Sequence, residues 1–179
     1  GESDQELRAR VMDTFQRLPN GANAAFYEQG ALSFDQVAAA SVLPRSRGVG
    51  TVDVVVATGS GQPDEDLLEE LEAYFQTRRE IAVDVKVLAP EEVSLSVSAR
   101  VKAKDGWDST QVCTGVKNTL QAWFSGERLG QDILLAQLGN LIYGCEGVAN
   151  YQIVSPAADV SIDADQLPVL SSISVEAMT

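Results

Sequence analysis

Residues 54–70 read VVVATGSGQPDEDLLEE. A β-branched apolar run, a pair of glycines and an acidic segment carrying leucines follow one another, the order of a buried strand, a tight turn and the first turns of a helix. Nucleotide-binding folds open in this way, so the first question is whether Gly59-Ser60-Gly61 cradles a phosphate or only turns the chain. Gly59 and Gly61 have the first G-x-G spacing, and Asp84 follows 25 residues after Gly59, the kind of acid that holds a ribose. The third glycine, which lets helix and strand approach closely, would stand at position 64, and Asp64 is there. Asp64, Glu65 and Asp66 crowd the place where a pyrophosphate would meet the positive end of the helix dipole. Pro63 removes an N–H donor, which suits helix initiation and weakens an anion nest. No Gly-Lys-Ser/Thr follows, which excludes a Walker-type loop. The stretch therefore reads as a structural turn and a helix cap. The alternative is a nucleotide- or cofactor-binding α/β enzyme domain built on the Gly59-Gly61 turn.

Outward from this stretch, "VAAASVL" (37–43) and "TVDVVVA" (51–57) read as strands joined by the polar loop "PRSRGVG". Segment 64–79 places Leu67, Leu68, Leu71, Tyr74 and Phe75 on one stripe, with Glu65, Glu69, Glu70 and Glu72 largely outside it. That spacing predicts an amphipathic surface helix. "VDVKVLAP" (83–90) alternates and ends at Pro90, as a strand with one buried face does. This first module reads ββαβ. Ahead of it, Leu7, Val11 and Phe15 mark a helix over 4–17 with Asp4 as its cap, and "ANAAFYEQGAL" marks a second short helix ending near Leu32.

Beyond it, "VSLSVSARVKA" (93–103) alternates Val93, Leu95, Val97, Ala99 and Val101 inward. A helix from about Ser109 to Phe124 follows, with Asp108 and Gln111 as a capping box, Trp107 and Val112 at the staple positions, and Val112, Val116, Leu120 and Trp123 on its buried face. A shorter helix is predicted over 131–143, stopping at Gly144, and strands near 148–154, 158–162 and 170–177. The second module thus reads βααβββ, and the whole is α+β: two small α/β modules preceded by N-terminal helices, divided as 1–33 (helical segment), 34–90 (first module) and 91–179 (second module).

Composition narrows the chemistry. The chain has 179 residues, 45% hydrophobic and 22% charged, enough for a proper core, and no apolar run approaches the roughly 20 residues of a membrane-spanning helix. Acidic residues outnumber basic ones 26 to 13, and no Lys or Arg follows Arg128. Phosphate neutralisation needs those cations, so neither nucleic acid nor an anionic membrane is an expected partner. The chain has no histidine, which removes His-based nucleophilic triads, His-ligated zinc and the commonest general base. Cys113 and Cys145 read as buried free thiols, which fits a reducing compartment. Asp159, Asp163 and Asp165 lack the glycine and terminal glutamate of an EF-hand and read as solvated loop acids. Arg78-Arg79 read as partners of a helix C-terminus, and the adjacent Glu91 and Glu92 point to opposite strand faces. Trp107 reads as a staple, with an interface anchor as the other possibility. With 6% aromatic residues, sugar stacking is disfavoured. No catalytic, cofactor-binding or metal-binding residue is assigned. The opening Gly1-Glu2-Ser3-Asp4, with no initiator Met and no signal segment, suggests a piece of a longer protein.

Five segments in order carry a resemblance: "GESDQELRARV", "LPNGANAAFYEQGAL", "SRGVGTVDVVVATG", "PDEDLLEELEAYFQTRREIAVDVKVLAP" and "GVANYQIVSPAADVSIDADQLPVLSSISV". Together they resemble the baseplate J-like proteins of contractile-tailed phages and related prophages, over essentially the whole chain. The resemblance implies a structural subunit of the tail baseplate wedge, without enzymatic activity or cofactor. It implies contacts with other wedge proteins and further copies of itself, assembly in the bacterial host cytoplasm, and no catalytic residues to carry over.

Overall fold

The computed structural model describes residues 23–178. The helix expected over 4–17 lies outside the described residues. Helix α1, Ala24–Leu32, begins where the Asn23 side chain accepts the Phe26 N–H at 3.0 Å. Strands β1, Val37–Pro44, and β2, Thr51–Thr58, form an antiparallel hairpin, and β3, Asp84–Leu88, lies parallel to β2 on its other side. Helix α2, Glu65–Gln76, is the crossover between β2 and β3, so the expected ββαβ order is present. Its Leu67, Leu71 and Phe75 recur every four residues and are buried against Val54, Val56, Val85 and Val87. Phe26, Tyr27, Phe34, Tyr74 and Phe75 interlock in this core, with ring centroids 5.1–6.5 Å apart.

The second sheet has β4, Glu91–Ala103, at its centre, with β5, Val148–Ser155, antiparallel on one side and β6, Gln166–Ala177, parallel on the other. Val97, Ala99 and Val101 are buried and Val93 and Leu95 partly so, which confirms all five inward positions. Helices α3, Ser109–Trp123, and α4, Leu135–Gly144, cover them with Val112, Val116, Leu120, Leu138 and Ile142. A 3-10 turn at Gly126–Arg128 lies between the helices.

Three details of the second half differ from expectation. No strand spans 158–162: Val160 makes a single antiparallel bridge with Ile133, two backbone hydrogen bonds of 2.9 Å, so the layout is βααββ. Helix α4 starts at Leu135 because Ile133 belongs to that bridge and Asp159, from across the bridge, accepts the Leu135 N–H at 2.7 Å. Strand β6 starts at Gln166 and runs through Pro168, which stands opposite Val93. Proline is tolerated there because β6 is an edge strand and the missing N–H faces away from the sheet.

The two halves are firmly joined. Strand β2 is buried on both faces: Val54 and Val56 face the first core, while Val55 and Ala57 pack with Leu129 and Leu167 of the second half. Each of Val55, Leu129 and Leu167 contributes about 1.5–3 kcal/mol by burial. The 3-10 turn approaches so closely that a Cβ on Gly126 would lie 1.8 Å from the Thr58 carbonyl oxygen.

Candidate functional site

The Gly59-Ser60-Gly61 turn closes on itself. The Thr58 N–H donates to the Gly61 carbonyl at 2.8 Å, the Gly61 N–H donates back to the Thr58 carbonyl at 2.9 Å, and the Thr58 and Ser60 hydroxyls pair at 3.0 Å. Gly61 has φ +113°, which a side chain would strain. Asp64 is the N-cap of α2 and accepts the Leu67 N–H at 2.9 Å, so the helix terminus already holds a carboxylate. The Gln62 amide donates to the Pro90 carbonyl at 2.9 Å, tying the turn to the β3–β4 connection.

Two clefts meet this turn. One, of about 270 Å³, lies between the halves and is lined by Ser60, Gly61, Gln121, Phe124, Ser125 and residues 167–170. The other, of about 330 Å³, is lined by Gln36, Thr58, Ser60, Gln62, Asp64 and Leu67. Neither lining contains Lys or Arg, so a phosphate would find no cation and, in the second, a carboxylate. Asp84 does not complete a ribose site either. It pairs with Thr51 at the start of β2, the end opposite the turn, roughly 25 Å away at about 3.3 Å per residue.

The other candidates are used locally. Arg78 stacks on Tyr74 with its guanidinium carbon 3.9 Å from the ring centroid and donates to the Tyr74 carbonyl at 3.2 Å. Arg79 donates to the Val83 carbonyl at 2.5 Å and to the Gln76 side chain at 2.6 Å, so both arginines tie down the α2 C-terminus. Asp159 caps α4, and no cluster of three or more His, Cys, Asp or Glu suited to a metal occurs among the described residues. Glu91 accepts a side-chain hydrogen bond from Gln166 at 3.4 Å across the parallel β4–β6 pair. Cys113 and Cys145 are half-buried free thiols, and burial pushes the Cys113 thiol up. Asp108 caps α3 by accepting the Thr110 N–H at 3.0 Å.

The loop "PRSRGVG" holds a cluster that its polar composition alone does not reveal. Arg47 donates through Nε to Asp53 at 2.6 Å and through its other nitrogens to the side chain and carbonyl of Asp84, while Ser46 donates to Asp53. Asp53 is only 4% exposed, the sole buried charged residue among those described. The signal was present: an aspartate inside the apolar run "VDVVV" must find a partner, and Arg45 and Arg47 are the nearest cations in the chain. The Arg47 hydrogen bond holds the Asp84 carboxyl below its ordinary range. The arrangement pins the β1–β2 loop to the start of β3. It is an ion-pair clasp in which Asp53 is buried while Asp84 stays largely exposed, and each charge is already matched by its partner.

Likeness to known proteins decides the family. The baseplate J-like central domain matches residues 19–89, and the baseplate J-like protein C-terminal domain matches residues 95–176. The chain belongs to the baseplate J-like family. A curated relative, the phage-like element PBSX protein XkdT of Bacillus subtilis (strain 168), is 22% identical over 97% of this baseplate J-like chain. The chain spans about half, 53%, of that relative's length. Among solved structures, a chain of the anti-feeding prophage (AFP) baseplate, determined by cryo-EM with 6-fold symmetrisation, shares the fold. Its TM-score is 0.62 at 9% identity, over 94% of this chain and 42% of that one.

Proposed function

We propose that this baseplate J-like chain is a structural component of a contractile phage-type tail baseplate, acting in wedge assembly through contacts with other baseplate proteins and further copies of itself. The observation that carries this reading is the tandem match of the central and C-terminal baseplate J-like domains, in order, over most of the chain. The chain works without catalysis or cofactor, in the virion tail baseplate, after assembly in the bacterial host cytoplasm. Its division at residues 1–33, 34–90 and 91–179 is part of the same proposal. The apolar junction around Val55, Ala57, Leu129 and Leu167 supports a rigid bracket, which is what a wedge subunit needs to transmit position from one neighbour to the next. A net charge of −13 supports recognition of neighbours by complementary charge while discouraging premature self-association.

The test is genetic and structural. Deleting the full-length gene from its phage or prophage is expected to yield lysates without assembled baseplates in electron micrographs, restored by the gene in trans. Normal baseplates in the deletion lysate would sink the proposal. The nucleotide alternative has its own measurement: ATP or a dinucleotide is expected to leave the melting temperature unchanged. A rise of several degrees that is lost in Ser60→Ala would bring it back. Ser60 is the better site for that variant, because a side chain at Gly61 strains the turn by itself.

A further inference from the structure

We propose that the cleft beside Trp107, on the second module, receives an arginine side chain from a partner protein. This rests on the reading of the chain as an assembly subunit and names the chemistry of one of its contacts. Trp107 is 48% exposed yet held in place: a Cβ on Gly147 would lie 2.5 Å from its ring and 2.8 Å from a Val112 methyl, so ring and methyl both rest on that bare backbone. The tryptophan thus presents its free surface without the rotamer freedom that would have to be lost on binding.

Beside it is a cleft of about 250 Å³, room for a long side chain, whose lining includes Trp107, Val112, Gly115, Thr119 and Glu146. Gly115 stands inside α3, where glycine costs about 1 kcal/mol relative to alanine. Nothing lies within 4 Å of the Cβ it lacks, so no close neighbour demands glycine, and any side chain would project into the open space. Two polar groups of the wall are engaged with one another, since the Cys145 thiol, which also lines the cleft, donates to the Leu141 carbonyl at 3.2 Å and meets the Thr119 hydroxyl at 3.4 Å, and Gln111 adds a neutral amide to the lining. Glu146 remains the one formal charge in the lining and has no ion pair among the described residues.

A flat aromatic, an apolar wall and one uncommitted carboxylate match a guanidinium on an aliphatic stem. The plane stacks on the indole, the stem covers Val112, and the N–H groups reach the carboxylate. An acidic or purely apolar side chain would leave Glu146 repelled or unmatched.

The test is a titration of the folded chain with Nα-acetyl-L-arginine amide, followed by amide NMR at the Trp107 indole N–H and the Gly115 and Glu146 backbone. Saturable shifts are expected, with a dissociation constant in about the millimolar range. Nα-acetyl-L-norleucine amide is expected to bind at least about tenfold more weakly. Gly115→Leu is expected to abolish the shifts while holding or raising the melting temperature, since leucine is a better helix former. Glu146→Gln is expected to weaken binding several-fold and flatten its salt dependence. Absence of saturable shifts, equal binding of norleucine amide, or unchanged binding in either variant overturns the inference. In the full-length protein, Gly115→Leu is expected to impair baseplate assembly, and normal baseplates from that variant also overturn it. These outcomes are separate from the gene-deletion result: a chain dispensable for baseplates sinks the assembly role and leaves the titration standing.

Discussion

Gly126 is decided by contact with another part of the chain rather than by its own neighbours in sequence. A methyl group there would be placed 1.8 Å from the Thr58 carbonyl oxygen, which is rigid backbone, so the 3-10 turn would have to move away from β2. Gly126→Ala is expected to cost about 1–3 kcal/mol or more, measured by urea denaturation, and unchanged stability would contradict the close approach. Asp84 makes a prediction in pH. Its folded-state pKa is depressed below 3.8 chiefly by the hydrogen bond from Arg47, so its contribution is fully present above that value and is lost as pH falls below it. Asp84→Asn is expected to flatten this acid limb of the stability curve, and Asp53→Asn to lower the melting temperature at neutral pH more than Asp84→Asn, because Asp53 is the buried partner. An aspartate inside the apolar run "VDVVV" is a charge out of place that the sequence alone could have flagged, whereas its bond to Arg47 and the close approach at Gly126 arise only in the fold.

Helices and strands were mostly legible because their periodicities are local. Leu67, Leu71 and Phe75 mark α2, Val112, Val116 and Leu120 mark α3, and the alternation from Val93 to Val101 marks β4; all of them are buried except Val93 and Leu95, which are partly so. Boundaries were legible where the cap is encoded a few residues away. Asp64→Ala is expected to cost about 1 kcal/mol, read by thermal or chemical denaturation, through loss of the bond to the Leu67 N–H. The start of α4 was misjudged because its cap comes from Asp159, 24 residues on. Asp159→Ala is expected to cost a similar amount, about 1 kcal/mol, and to raise hydrogen exchange at the Leu135 amide; exchange equal to wild type there would rule out the cap. The strand expected at 158–162 failed for a related reason. Alternation in "ADVSI" is real, but only Val160 finds a partner, in Ile133.

At the scale of the molecule, the junction governs behaviour. Leu167 belongs to β6 and packs beneath β2, so Leu167→Ala is expected to cost about 2–5 kcal/mol and to speed hydrogen exchange at Val55 and Ala57 in the other half. Effects confined to β6 and its own sheet would mean that the halves are energetically separate. The same junction explains the glycine turn. Gly61 faces Leu167, where an added Cβ would lie 3.8 Å from a leucine methyl, and Gln62 reaches the Pro90 carbonyl, so the turn that resembles a phosphate cradle is a fitting between two modules.

By itself the sequence determined the α+β class, the order of nearly every described element, the inward faces and the turn-and-cap nature of residues 59–64, because spacing, capping side chains and turn residues act over a few positions. The lack of histidine and the acid excess bound the chemistry whatever the fold. Tertiary structure decided what distant residues do to one another: Val55 and Ala57 face a second core, Asp84 lies at the far end of β2 from the glycines, and Asp53 reaches Arg47 across a hairpin. A run such as "VVVA" states that both faces of a strand are buried. Which partner covers the second face depends on a segment more than seventy residues away, and no local pattern encodes that pairing.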